Sequence, residues 1–166
     1  MLRNDIVRAI ANKLEATILG DEAGTSTQPE GLFNGVTADA SDVTFADMVA
    51  MEEELEEANV TGELTYIVSP SAKAALRTTA KDAGSGLFVM DNNEINGIKV
   101  LSTSACTDKG VILGNFNDYV IGQWGGIDLV VDPYTQAASG KVRLVVNAYF
   151  DAKPRRTEAF VEKILH

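Results

Sequence analysis

Ile112-Leu113-Gly114-Asn115-Phe116-Asn117-Asp118-Tyr119-Val120-Ile121 decides the architecture of this chain. Its ends are short apolar runs, 111–114 and 119–122, of strand length and rich in β-branched or aromatic residues. Residues 98–101 form a strand ahead of it. Downstream, Gly125-Gly126 predicts a turn into a strand at 127–131. Asp132-Pro133-Tyr134 ends that strand, because proline has no amide to give to a ladder. Residues 141–150 read as a long valine-rich strand. Residues 158–165 read as a last one, with Ala159, Val161 and Lys163 on one side.

Upstream the period changes to helical. Ile6, Ile10, Leu14 and Ile18 recur every four residues, with Leu2 extending the row, so an amphipathic helix is predicted over 2–19. Gly20 is its natural stop. Residues 20–43 are loop-like, and Leu32 and Phe33, set among turn formers, are expected to pin that loop to the body. A loop this long with little structure usually has a task. Thr44 and Asp47 have the spacing of a capping box, opening a helix to about Ala58. Phe45, Met48, Val49 and Leu55 make its predicted inner face, and Glu52, Glu53, Glu54, Glu56 and Glu57 crowd the remainder. Tyr66-Ile67-Val68 reads as a short buried strand. Ser69-Pro70 opens a third helix, serine as cap and proline at the first turn, with Ala72, Ala75 and Leu76 inward. The sum is an α+β protein.

The bulk numbers narrow the function classes. With 166 residues, 45% of them hydrophobic, the chain can bury a core as one domain or two small interleaved ones. Fourteen basic residues against 24 acidic ones leave a net charge of -10, which argues against nucleic-acid binding driven by counterion release. The densest basic pair, Arg155-Arg156, is too small to reverse that. One cysteine excludes an intrachain disulfide and suits a reducing compartment. No apolar run approaches the ~18 residues of a membrane span. Met1-Leu2-Arg3-Asn4-Asp5 does not lead into the apolar stretch of a signal peptide. A cytoplasmic location is expected.

Catalytic chemistry finds little support. His166 is the only histidine and the last residue, where an imidazole is rarely held. A zinc site lacks its Cys and His ligands. Cys106 has no basic neighbour except Lys109, so it reads as an inert small side chain and not as a nucleophile. The carboxylates of 52–57 could bind calcium or form an acid-base pair, but a helix spreads consecutive residues around its axis, and a solvated or interface face is preferred. Gly122, Gly125, Gly126, Gly84 and Gly86 lack the following lysine and hydroxyl of a phosphate loop. Trp124 could serve as a ligand platform, though packing in the fold or at an interface is preferred. No catalytic, cofactor-binding or metal-binding residue is therefore assigned.

Four stretches in order carry a resemblance. Pro29-Glu30-Gly31-Leu32-Phe33-Asn34 follows the end of the first helix and resembles a "P-x-G-L-x-N" element. Tyr66-Ile67-Val68-Ser69-Pro70 with Ala74-Ala75-Leu76 is similar to a strand-proline-helix step. Residues 112–121 with Gly125-Gly126-Ile127 resemble an "L-x-G-D-F-x-x-Y-x-I" strand pair. Residues 142–151 with Glu158-Ala159-Phe160-Val161 resemble a closing strand, a turn and an "E-A-F-V" strand. Together they resemble the C-terminal half of tailed-phage major capsid proteins with the Hong Kong 97 fold, an α+β fold with a spine helix and mixed sheets.

The resemblance implies a head-shell subunit of a phage or prophage, a structural protein without enzymatic activity or cofactor. Its partners would be copies of itself in pentamers and hexamers, with portal, scaffold or maturation protease beside them, and neither membrane nor specific nucleic acid. The expected location is the virion capsid, after the host cytoplasm. Residues 1–43 and 141–166 are expected in the peripheral domain and 44–140 in the axial domain. The loop 102–109 is the candidate for the tip at the ring centre, and the acidic helix for a subunit face or a negative inner wall. The family's N-terminal arm and extended loop have no counterpart here, so no cross-linking residue is carried over, and this stretch alone is expected to stay monomeric or to form small rings. Two rival readings stand: an encapsulin-type compartment subunit, and a carboxylate-based hydrolase or calcium-binding module.

Overall fold

A computed structural model describes residues 2–38, 43–84 and 86–166. Residues 39–42, the end of the expected loop, and the Leu2 side chain, expected to extend the apolar row, lie outside the described part.

Helix α1 spans Leu2–Ile18, as the four-residue apolar spacing predicts. Only its last turn is buried: Thr17, Ile18 and Leu19 are enclosed, while Ile6, Ile10 and Leu14 are half-buried. A helix leaves its final carbonyls without partners, and here the next segment supplies them. The amides of Leu32 and Phe33 donate to the carbonyls of Ile18 and Gly20 at 2.8 and 3.0 Å, and Gly31 donates to Glu22 at 3.0 Å. Gly31 is required by this close approach, since a Cβ there would overlap the Gly20 carbonyl. Phe33 is fully buried, so it does pin the loop.

Helix α2 (Phe45–Glu57) begins with the predicted capping box between Thr44 and Asp47. Its buried side chains are Met48, Met51 and Leu55. Val49, expected inward, is 40% exposed, whereas Met51 and Leu55, three and seven residues after Met48, share its buried face. Strand β1 (Thr65–Val68) leads into α3 (Pro70–Thr78). Ser69 caps α3 by accepting the Ala72 amide, and Ala72 and Leu76 face the core.

Strands β2 (Glu94–Ile95), β3 (Ile98–Ser102), β4 (Gly110–Gly114) and β7 (Phe160–Ile164) join β1 in a five-stranded sheet of order β2-β3-β1-β4-β7. β1 and β3 are parallel and the other pairs antiparallel. β4 is buried at all five positions, since both faces of the sheet are covered. Successive side chains alternate between faces. Val111, Leu113, Val161 and Leu165 pack with α2 and α3, whereas Ile112 and Phe160 pack with Phe33 and the end of α1. Lys163, on the α2 side, pairs with Asp47 at 2.7 Å.

The remaining two strands, β5 (Tyr119–Asp132) and β6 (Arg143–Pro154), pair only with each other. Gly125-Gly126 is not a turn: β5 runs through it with a bulge. Three residues between Trp124 and Asp128 span the gap that Ala148 alone spans on β6. Gly125, at φ +72°, takes the left-handed backbone this irregularity needs.

Candidate assembly surface

The hairpin β5–β6 owes its shape to β-branched sequence but has almost nothing to bury it. Cross-strand pairing puts Leu129 opposite Val146 and Val131 opposite Leu144, one apolar face shared by both strands. That face continues along β6 to Ala148 and Phe150, which meet Ile6, Ile10 and Leu14 of α1 across an open groove of about 440 Å³. Leu129 and Val131 remain 53% and 56% exposed. The opposite face presents Val130, Trp124 and Tyr149, all exposed, the last two paired across the strands. The Trp124 indole lies over Gly122, where no Cβ intervenes. At the tip, Asp132 accepts the amides of Tyr134 and Thr135 and the Thr135 hydroxyl, and these bonds hold its carboxyl below the usual carboxylate range. Tyr134 stands out beside this turn, 86% exposed.

The groups weighed for catalysis do not come together. Cys106 is buried, its thiol pushed up to about 12 by burial, so it carries little thiolate. Its loop, the candidate ring-centre tip, folds onto the body instead of projecting. Thr103 donates to Glu15 at 2.7 Å, the Thr107 amide to Leu19 at 3.1 Å, and the Lys109 amide to Ser71 at 2.9 Å. In the acidic run, Glu52 accepts from the Tyr66 hydroxyl and from Asn96, tying α2 to β1 and to the β2–β3 turn. Burial, with the Glu52 charge added, pushes the Tyr66 hydroxyl well above the usual phenol range. Glu53, Glu54, Glu56 and Glu57 point to solvent. Among the described residues, no three His, Cys, Asp or Glu side chains are grouped to hold a metal ion. Arg156 donates to the Ala58 carbonyl at the end of α2 at 3.0 Å. His166 is exposed. No helix among the described residues is long and apolar enough to cross a membrane.

One carboxylate escaped the sequence reading. Glu162 sits half-buried on β7, and burial, with the Glu54 charge as a lesser cause, pushes it up to about 7. Only the alternation of β7 hinted at it: Glu162 shares a face with Phe160 and Ile164, and so points where an apolar residue would fit.

A family model, the phage capsid family, matches residues 1–162. The chain belongs to this family. The major capsid protein of Halomonas phage phiHAP-1 is 30% identical over 169 residues, covering 96% of this chain and 27% of its own length. Solved capsid structures share the fold at low identity. The capsid of an empty GTA particle superposes with a TM-score of 0.70 at 18% identity, over 99% of this chain and 64% of its own. The Gordonia phage Cozz structure gives 0.70 at 15%, over 98% and 62%. A virus-like particle from Pyrococcus furiosus gives 0.60 at 16%, over 93% and 64%. The chain thus spans about a quarter of the phiHAP-1 protein and under two thirds of these capsid chains. The α+β fold expected from the four motifs is the Hong Kong 97-like capsid fold, present across nearly the whole chain.

Proposed function

We propose that this chain forms the shell-building part of a phage head subunit, acting by self-assembly and not by catalysis. The observation that carries the proposal is the uncovered hairpin. A two-stranded sheet is marginal in water by itself, and this one exposes Val120, Ile121, Trp124, Leu129, Val130 and Val131. Contiguous apolar surface on a folded chain marks an interaction site, and neighbouring copies offer heterologous faces that close into rings. Pentamers and hexamers are the expected products, with portal, scaffold or maturation protease as further partners and the virion as the location. The 30% identity to a phage major capsid protein favours this reading over a cargo compartment.

The same reading includes a division into peripheral and axial parts. Bounds of 1–43 with 141–166 against 44–140 cut through β5–β6 and through the pair β4–β7. A division that follows the pairing keeps α1 and its loop with 119–154 as the peripheral part, and 44–118 with 160–164 as the axial part. The exposed Glu53, Glu54, Glu56 and Glu57 then lie on the axial part, where a negative wall would avoid tight binding of packaged genome.

Electron microscopy of the full-length gene product tests the proposal. Closed shells or capsomer rings are expected. A product that stays solitary at high concentration and turns over a small molecule would overturn it.

A further inference from the structure

Between the loop 24–34 and residues 151–157 lies a cleft of about 400 Å³ into which Glu162 projects from β7. This loop supplies amides to the Ile18 carbonyl at the end of α1 and to the Gly20 and Glu22 carbonyls just beyond it, so whatever loosens it exposes those carbonyls. Around Glu162 the charges are unbalanced. The loop contributes Glu30, whose carboxylate is engaged by Asn34 at 2.6 Å. The end of β6 contributes Asp151 and, as the one cation lining the cleft, Lys153. Glu54 on α2 adds a further negative charge. The neighbouring strand β4 places uncharged Ile112 opposite Glu162. On β7 itself, Lys163 points to the other face and pairs with Asp47. Among the described residues no cation pairs with the Glu162 carboxylate, and its own backbone is the group that favours its charged form. A partly buried carboxylate with no paired cation and several like charges near it is stable in its protonated form.

We infer that Glu162 is a proton-operated clamp: uncharged, it lets the loop 24–34 close over β7 and the end of β6, and charged, it loosens that loop and with it the end of α1. The inference goes beyond the shell reading and does not depend on it. The sign follows from linkage. A carboxyl whose pKa is higher in the closed state than in the open one favours closure at low pH, and that preference is lost as pH rises through the closed-state value. For Glu162 the window runs from the ordinary 4.5 to about 7. A head subunit with this clamp would couple the packing of its helix end to ambient pH around neutrality.

Hydrogen exchange at the amides of Gly31, Leu32 and Phe33 reads the clamp directly in the 166-residue chain. After correction for intrinsic exchange, protection is expected to fall about tenfold or more between about pH 5 and about pH 8 in the wild type, and to stay level in Glu162→Gln. Amides of α2 and β1 should not follow. Glu30→Gln with Asp151→Asn, which removes two like charges lining the cleft, should bring the midpoint to lower pH. Level protection in the wild type, an equal fall in Glu162→Gln, or a parallel fall in α2 and β1 would each overturn the clamp. Should Glu162→Gln not fold, carbon NMR titration of Glu162 in the wild type decides: a midpoint near neutrality supports the clamp and one near 4.5 removes it.

Discussion

Removing the Asp47 side chain tests how α2 is held to the sheet. Its carboxylate accepts the Thr44 amide and hydroxyl, both at 2.7 Å, and the Lys163 ammonium at 2.7 Å, while its own amide donates to the Thr44 hydroxyl at 3.3 Å. Side-chain exposures of 24% and 23% for Lys163 and Asp47 make the pair partly shielded. Loss of a cap costs about 1 kcal/mol, and an ion pair of this exposure adds about 1 kcal/mol at most. Asp47→Ala should therefore lose about 2 kcal/mol, seen as a lower urea midpoint at unchanged m-value. A double-mutant cycle of Asp47→Asn with Lys163→Met should return a coupling of about 0.5–1 kcal/mol. The pH dependence has a fixed sign. Burial raises the Asp47 pKa, but the hydrogen bonds from Lys163 and Thr44 outweigh it and hold the carboxyl below its ordinary 3.8. Its contribution is complete above that value and lost as pH falls through the folded-state pKa, so wild type and Asp47→Ala should converge in acid. A loss within experimental error at neutral pH, or zero coupling to Lys163, would refute this account.

Gly31→Ala forces a methyl group into the Gly20 carbonyl and displaces three backbone hydrogen bonds, so about 2–4 kcal/mol should disappear from urea unfolding. Leu129→Ser with Val131→Ser, both more than half exposed, should change the stability of the isolated chain by about 0.5 kcal/mol per site or less. In the full-length product the same pair should abolish shell assembly by electron microscopy, and persistence of shells would remove the hairpin from the interface. Cys106, buried with its thiol pushed up to about 12, should resist a thiol-specific reagent at neutral pH until the chain is unfolded.

Local chemistry was legible where one residue type decides the outcome. Thr44 with Asp47, and Ser69 with Pro70, start helices because those side chains satisfy free amides whatever the tertiary context. The role of Phe33 was legible because a large apolar residue among turn formers has no local use. Gly125-Gly126 misled, since two glycines serve a bulge as well as a turn, and the choice depends on pairing with Tyr149 and Asn147, distant in sequence. The β2–β3 hairpin was missed although Asn96-Gly97, at φ +52° and +84°, is a strong two-residue turn signal. Its first strand, β2, is only two residues long, too short for periodicity to register, although β3 itself was read from the sequence. Met51 and Val49 exchanged places because spacing alone fixes a helical face only once the partner strand is known. The candidate assembly surface was visible only as family resemblance: valine-rich strands look the same in sequence whether a core or a neighbour covers them.

The balance at that surface explains why copies would act in number. Each half-exposed aliphatic side chain on β5–β6 stands to gain about 1 kcal/mol from burial, whereas bringing two chains together costs roughly 4–15 kcal/mol of lost freedom. Every copy also carries a net charge of -10, so like surfaces repel, less strongly as salt screens them. A single hairpin contact is therefore close to break-even. Closure of a ring changes the arithmetic, because the last contact forms between chains already held near one another and costs little further freedom. On this account assembly is steeply dependent on concentration and promoted by salt. The hairpin can then stay uncovered on a free subunit without driving indiscriminate aggregation: pairs fall apart, and only geometries that close persist.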